Sequence, residues 1–212
     1  MFYVFPRVVP KKECDRLLKY CIKNTKFVEA SVLNAGQPDA IADSEELFDD
    51  RGRNDPKIRK TDIAFITDKD NMVNEIAWHF LREANKLQFN YKLDYFQPVQ
   101  FARYKDGGHY GWHQDSPGHN SHGESRKLSL TFCLTDPNKY EGGNLEFFCA
   151  DKALPDLNLP NGTVIKGQQV LNDIRDQGSV IVFDSRDYHR VTPCTKGTRY
   201  SIVCWTVGPN FI

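Results

Sequence analysis

The second half of the chain consists of short β-forming segments separated by turn residues, and this pattern restricts the fold most. From residue 96 onward the segments read VQFARY, KLSLTFCLT, GGNLEFF, GSVIVFDS and TRYSIVCWTV. Short strands between glycine, proline and asparagine turns are typical of an all-β sandwich or barrel. We therefore expect a core that is mainly β.

Two amphipathic helices are predicted ahead of these strands. The first stripe has apolar residues at helical spacing, at Cys14, Leu17, Leu18, Cys21 and Ile22. The second stripe comprises Met72, Val73, Ile76, Ala77, Phe80, Leu81, Ala84 and Leu87. Asp68 and Asp70 lie just ahead of it, where acidic residues favour a helix start. Since each helix has one apolar side, we expect both to buttress one face of a sheet.

The length of 212 residues, 40% of them hydrophobic, suits a single domain with a sizeable core. We expect helical support over about residues 1–95 and the strand core over about 96–207. The polar stretch 34–57 is predicted to be a long loop, either a solvated surface loop or a lid or binding loop. The weakly patterned stretch 151–177 is predicted to be an excursion between strands.

The net charge and the cysteine pattern indicate which partners and which cellular compartment to expect. Lys plus Arg and Asp plus Glu are 28 each, so no net field favours nucleic acid or a membrane surface. We expect no membrane span and no signal peptide, because the chain has neither a long apolar run nor a basic start with a cleavage site. The six cysteines form no C-x-x-C, which favours buried free thiols over disulfides. A cytoplasmic protein of bacterial or viral origin is the resulting prediction.

The stretch GWHQDS places His113 and Asp115 two residues apart. Alternate residues of a strand project from the same face, so the two side chains would share one space. A surface hydrogen bond is the simpler interpretation of such a pair alone. His189, in DSRDYHRV after a buried-looking strand, adds a third ligand. Two histidines and a carboxylate match the facial triad of non-haem Fe(II), although zinc accepts the same atoms.

Arg199 favours iron with an organic diacid. It lies in TRYSIVCWTV, a strand that is apolar on both faces, so its guanidinium would enter the core. A buried guanidinium is costly without an anionic partner, and no acidic residue follows Arg190. A bound dicarboxylate would satisfy it through paired hydrogen bonds. The alternatives are that Arg199 reaches the surface or pairs with a distant acid.

The order His-x-Asp, His, then Arg ten residues later resembles the iron(II)- and 2-oxoglutarate-dependent dioxygenases, most closely the prolyl 4-hydroxylase-like, PKHD-type group. RYKDGGHYGWHQD, LSLTFCLTDPNKYEGGNLEF and IRKTDIAF are similar to that group as well, so the resemblance covers about residues 58–207. It implies an α+β, mainly β fold. The core would be a double-stranded β-helix, of the jelly-roll or cupin-like kind, with the N-terminal helices against one sheet.

The resemblance also implies roles for single residues. The Fe(II) ligands, which are also the catalytic residues, would be His113, Asp115 and His189. The 2-oxoglutarate site would comprise Arg199, Tyr104 and Ser201. Tyr110 and Trp205 would lie on the substrate side, with packing as the alternative for Tyr110 and closure of the pocket floor for Trp205. Oxygen would be the second cosubstrate, and we expect ascorbate as reductant.

The function predicted from this resemblance is hydroxylation of a C–H of a protein or peptide residue, with proline expected, giving succinate and CO2. One alternative keeps the chemistry but acts on a free amino acid, another small molecule or a nucleobase. The absence of a basic and aromatic stripe argues against nucleic acid. The other alternative is a β-barrel module that binds metal or a carboxylate without turnover. Residues 31–57 and 151–177 carry no family pattern and could determine the substrate.

Overall fold

The structure, a computed structural model, describes residues 2–30, 56–67, 71–116, 123–150, 157–158, 164–165, 168–171 and 175–211. Its helices and strands in chain order are β1 Phe2–Phe5, α1 Lys11–Asn24, β2 Val28–Glu29, β3 Arg59–Lys60, β4 Asp62–Ile66, α2 Met72–Ala84, β5 Tyr95–Phe96, β6 Val99–Lys105, β7 Gly108–His113, β8 Glu124–Cys133, β9 Tyr140–Gly142, β10 Leu145–Ala150, β11 Leu157–Asn158, β12 Val164–Ile165, β13 Gln168–Leu171, β14 Val180–Asp184 and β15 His189–Pro209. The predicted loop 34–57 and excursion 151–177 lie mostly outside the described residues.

Apart from the separate antiparallel pair β11–β12, the strands form two antiparallel groups that share β15. The first group, here called the major sheet, has the order β1-β14-β8-β15-β6-β4-β2, with β5 also paired to β15. The second group, the minor sheet, contains β3, β7, β9, β10 and β13 together with the start of β15. This arrangement confirms the predicted mainly β core.

The 21-residue strand β15 passes from the minor sheet to the major sheet. Residues 189–197 pair with β7, β9 and β10, whereas residues 198–209 pair with β6 and β8. Gly197, where pairing with β9 ends, has φ +71°, and a Cβ there would lie 2.1 Å from the Lys139 carbonyl oxygen. Only glycine fits such a position without strain. The β segment TRYSIVCWTV predicted from the sequence is therefore the second part of a longer, bent strand that begins at His189.

Both helices cover the outer face of the major sheet, as predicted. Their buried residues share one hydrophobic cluster with the sheet; the cluster includes Cys14, Leu17, Cys21, Val73, Ala77, Leu81, Leu128, Leu130, Phe132, Val182, Ile202 and Cys204. Strand alternation sends the intervening residues of β8 and β15 to the inner face, between the sheets. Ser129, Arg199 and Ser201 lie on that inner face, as their register in β8 and β15 shows.

The N-terminal part differs from the prediction in its details. It contains strands as well as helices, since β1 pairs with β14 and β4 pairs with β6. Helix α2 begins after Asn71, whose side chain accepts hydrogen bonds from the backbone N–H groups of Val73 and Asn74. Asp68 and Asp70, predicted near this helix start, lie outside the described residues. Leu87 is 57% exposed because it follows α2, in a π-helical turn.

The cysteine prediction agrees with the five thiols that the structure describes. Cys14, Cys21, Cys133, Cys194 and Cys204 are buried and free. In the described ranges, neither helix has the length and apolar character needed to cross a membrane.

A buried carboxylate at the end of β14 fixes the turn that leads into β15. Asp184 accepts hydrogen bonds from the Tyr91 hydroxyl at 2.5 Å and from the Arg186 guanidinium at 2.7 Å. Burial alone would raise the pKa of Asp184, but the bonds from Arg186 and Tyr91 outweigh it and hold the pKa below its usual value. The turn at 185–188 is thereby tied to the residues after α2.

We predict that Asp184→Asn lowers the free energy of unfolding at pH 7 by about 2–3 kcal/mol, because two charge-assisted bonds are lost. The contribution of Asp184 is fully present above its unfolded pKa of about 3.9 and disappears as the pH falls through its lowered folded pKa. The difference in stability between the wild type and the variant should therefore begin to shrink near pH 4 in urea unfolding and close below the lowered folded pKa of Asp184.

The matched control is Glu141→Gln, which breaks the exposed ion pair with Lys196. It should cost less than about 1 kcal/mol at pH 7. Equal losses in both variants, or a gap for Asp184→Asn that persists in acid, would contradict the role assigned to Asp184.

Candidate metal centre

Three predicted ligands converge between the two sheets. His113 is the last residue of β7 and His189 the first residue of β15, and the two are cross-strand partners. Nε2 of His113 lies 3.6 Å from Oδ1 of Asp115, and Nε2 of His189 lies 3.6 Å from Oδ2. One ligand atom from each of the three residues lies within 4.8 Å of the others. The arrangement therefore offers three donors to one ion.

Asp115 reaches this position in a different way from the one predicted. The sequence suggested an extended strand through GWHQDS, but β7 ends at His113 and Asp115 lies in the bend that follows. The backbone N–H of Ser116 donates to the Ser185 carbonyl oxygen at 2.9 Å. This bond ties the bend to the turn ahead of His189, so that the carboxylate faces both imidazoles.

Backbone carbonyls orient both imidazole rings. Nδ1 of His113 lies 2.8 Å from the Gly111 oxygen, and Nδ1 of His189 lies 3.0 Å from the Asp187 oxygen. Because a carbonyl oxygen only accepts, each Nδ1 must carry the proton. The lone pair of each ring is then on Nε2, directed toward Asp115, which is the arrangement of a metal-binding histidine.

Two serines that the sequence analysis missed hold the carboxylate. The Ser129 hydroxyl donates to Oδ2 of Asp115 at 2.6 Å, and the Ser185 hydroxyl lies 2.9 Å from that of Ser129. Ser129 is on the inner face of β8, and its one sequence signal was a polar residue in the apolar run KLSLTFCLT. The serine pair links the carboxylate to the major sheet.

The charge states suit a divalent cation. Burial lowers the pKa of His189 to about 4, so this imidazole is neutral at pH 7. Burial opposes ionisation of Asp115, but the neighbouring imidazoles of His189 and His113 outweigh it and hold the pKa of Asp115 below its usual range. Two imidazoles and one carboxylate form the donor set that suits Fe(II), with the remaining coordination positions open.

Aromatic rings line the centre. Tyr110 stacks on His113 with ring centroids 3.5 Å apart, and the Arg59 guanidinium lies 4.5 Å from the Tyr110 ring. Phe183 meets the His189 ring edge-on at 4.6 Å. These contacts limit the water around the ligands. They place Tyr110 beside the centre, where it contributes packing to a ligand.

Arg199 lies on the inner face of the major sheet and is 4% exposed. Its Nη1 donates to the Ser201 hydroxyl at 3.2 Å. Tyr104 is its cross-strand partner on β6, with the ring centroid 5.4 Å from Cζ of Arg199. The three residues predicted to hold a dicarboxylate are therefore adjacent. Arg199 and Ser201 lie beyond the bend in the strand that begins at His189, and Tyr104 lies beside them on β6.

Trp205 is also on the inner face, but it lies beside the candidate metal ligands rather than beside Arg199. It is the cross-strand partner of Ser129, and the Arg126 guanidinium lies 4.1 Å from its ring. Its indole Nε1 is buried and has no hydrogen-bond partner among the described residues. A donor in that state suits contact with a bound molecule.

The comparisons with known proteins agree with this geometry. The family model of the 2OG-Fe(II) oxygenase superfamily matches residues 99–207. A PKHD-type hydroxylase of Acidovorax ebreus is 34% identical over 115 residues, which are 51% of this chain and 42% of that protein. The chain thus spans less than half the length of the curated relative it matches.

Solved structures share the fold over nearly the whole chain. A prolyl-4-hydroxylase of Pseudomonas putida gives a TM-score of 0.61 at 17% identity, covering 97% of this chain and 91% of that one. A prolyl hydroxylase of Trichoplax adhaerens, in complex with a hypoxia inducible factor peptide fragment, gives 0.63 at 17% identity, covering 97% and 82%. These likenesses confirm the predicted double-stranded β-helix.

The family match covers just over half of the chain and includes every predicted ligand, and the family implies Fe(II), 2-oxoglutarate and O2 as the reacting partners. The chain belongs to the 2OG-Fe(II) oxygenase superfamily.

Proposed function

We propose that the protein is a hydroxylase that uses Fe(II) and 2-oxoglutarate to oxidise a C–H of a protein or peptide residue, with proline as the expected residue, giving succinate and CO2. One observation carries this proposal. The three-ligand cluster, which is bound to Ser129 on the inner face of β8, and the buried Arg199 lie on the same side of the major sheet, and His189 and Arg199 are ten residues apart on one strand. A site that only bound metal would not need a buried arginine on the same strand.

In this proposal His113, Asp115 and His189 hold the iron. Their Nε2 and carboxylate atoms point to one place, and their other polar atoms are bound by backbone carbonyls and Ser129. Such outer contacts fix ligand orientation and raise metal affinity. When bound, iron with the 2-oxo acid and O2 supplies the oxidising chemistry, for which ascorbate would serve as reductant.

The other residues bind and orient the organic partners. Arg199 would hold the distal carboxylate of 2-oxoglutarate, because a guanidinium matches a carboxylate with two parallel hydrogen bonds. Ser201 positions the guanidinium, and Tyr104 would add a phenol donor. Phe183 and Tyr110 pack against the iron ligands and exclude water, which strengthens each electrostatic contact in the site.

The names of the relatives and the environment of Trp205 support a protein or peptide substrate. The relatives named above are called PKHD-type hydroxylase and prolyl hydroxylases, and one of the solved structures contains a peptide. Trp205, with its buried indole N–H beside Ser129, is the residue we place on the substrate side, and Tyr110 is the second. A buried donor of this kind would suit a backbone carbonyl of a peptide.

The proposal is tested by measuring succinate formed by protein loaded with Fe(II), 2-oxoglutarate and ascorbate. We expect succinate to rise when proline-containing peptides are added, with a mass gain of one oxygen on the peptide. Turnover with free amino acids alone would instead identify a small-molecule hydroxylase. Binding of metal and 2-oxoglutarate without succinate from either substrate class would indicate a binding module and overturn the proposal.

A pair of variants tests whether different residues of the site bind Fe(II) and 2-oxoglutarate. His113→Ala should weaken Fe(II) binding by at least about 100-fold, since one of three ligands is lost. Arg199→Ala should leave metal binding unchanged and weaken 2-oxoglutarate binding by about 100-fold, through loss of a charge-assisted pair. Anaerobic equilibrium dialysis for iron and calorimetry for 2-oxoglutarate give both constants.

The matched controls are His79→Ala and Arg82→Ala, two exposed positions on α2. Neither should alter either constant. Equal loss of iron from His113→Ala and Arg199→Ala, or loss of iron from the control variants, would contradict the separate roles assigned to His113 and Arg199.

A further inference from the structure

Tyr140 is a buried tyrosine beside Arg199 that no motif singled out. It is the first residue of β9 in the minor sheet and is 3% exposed. Its hydroxyl lies 3.8 Å from Sγ of Cys133 across the space between the sheets. A thiol is a weak acceptor, so this contact leaves the phenol able to donate to a better one.

Packing brings Tyr140 and Arg199 to the same place. A Cβ on Gly143 would lie 3.1 Å from Cδ of Arg199 and 3.5 Å from Cε2 of Tyr140. Gly143 also has φ +61°, so this close approach of backbone to both side chains requires glycine. The backbone at Gly143 therefore lies directly against both the Tyr140 ring and the Arg199 side chain.

Strand register brings the polar ends of Tyr140 and Arg199 to neighbouring residues. Cys133, which the Tyr140 hydroxyl contacts, is the cross-strand partner of Ser201. Ser201 in turn accepts a hydrogen bond from Arg199. The Tyr140 phenol, from the minor sheet, and the Arg199 guanidinium, from the major sheet, therefore contact Cys133 and Ser201, which are paired across β8 and β15.

Arg175 holds the Tyr140 ring in this orientation. Its guanidinium lies 4.4 Å from the ring centroid and donates to the carbonyl oxygens of Gly142 at 2.8 Å and Tyr140 at 3.1 Å. A ring clamped in this way loses little freedom when a ligand binds. Burial raises the pKa of Tyr140, so the phenol keeps its proton and remains a donor at neutral pH.

We propose that the Tyr140 hydroxyl donates a hydrogen bond to the distal carboxylate of 2-oxoglutarate beside Arg199, and that it thereby selects this cosubstrate over 2-oxo acids that lack the carboxylate. The inference rests on the proposed function, since it takes the pocket at Arg199 as the cosubstrate site. A carboxylate accepts about four hydrogen bonds, and the two of an arginine fork leave room for a phenol.

The test compares 2-oxoglutarate with 2-oxobutyrate, which has the same 2-oxo acid head but no second carboxylate. Calorimetry on protein loaded with Mn(II) gives the dissociation constants without turnover. Tyr140→Phe keeps the ring and removes only the hydroxyl. It should weaken 2-oxoglutarate about 10- to 100-fold, the effect of one hydrogen bond to a charged group, and leave 2-oxobutyrate unchanged.

The control is Tyr200→Phe, which removes a phenol on the opposite face of β15, where the ring stacks on Phe101. It should change neither constant, and thermal unfolding should show that both variants are folded.

Unchanged 2-oxoglutarate affinity in Tyr140→Phe would overturn this inference alone. Equal weakening of both 2-oxo acids would overturn it too, because the hydroxyl would then be structural. Wild-type protein that binds no 2-oxoglutarate would overturn the proposed function as well.

Discussion

The bend in β15 determines how far the candidate metal ligands lie from the pocket at Arg199. His189 begins this strand in the minor sheet, and Arg199 follows the bend in the major sheet. Gly197 permits the bend, because its positive φ and its contact with the Lys139 carbonyl oxygen leave no space for a side chain. A molecule that reached both residues would lie along the inner side of one continuous strand. Any shift in the register of β15 would therefore displace both ends of the site together.

Because successive side chains of a strand point to opposite faces of a sheet, the apolar core and the polar candidate site lie on opposite faces of the major sheet. The outer face of the major sheet is apolar and is covered by α1 and α2, which supply the main hydrophobic cluster. The inner face can then carry groups that are costly to bury, provided that each has a partner. Asp115 has Ser129 and two imidazoles, and Arg199 has Ser201. The stability of the domain and the polarity of the site are thus provided by opposite sides of the same strands.

The candidate ligands could be predicted from the sequence, but the residues that contact and orient them could not. His113, Asp115, His189 and Arg199 could be recognised because their spacing along the chain carries the pattern. Ser129, Ser185 and Tyr140 could not, because Ser129 contacts Asp115, Ser185 contacts Ser129 and Tyr140 lies beside Arg199 only through the folding of the chain. The continuity of β15 was missed for a related reason, since Lys196 and Gly197 suggest a turn, whereas pairing with β9 keeps them in a strand. Asp115 was expected on a strand and lies in a bend, held by the turn ahead of His189.

Anomalous diffraction at the iron edge, from crystals grown anaerobically with Fe(II), is the most direct test of a ferrous centre between the two sheets. We predict one strong anomalous peak within bonding distance of Nε2 of His113, Nε2 of His189 and a carboxylate oxygen of Asp115, about 2.0–2.2 Å from each. A peak at other residues, or fully reduced iron in the crystal with no peak at these three, would contradict it.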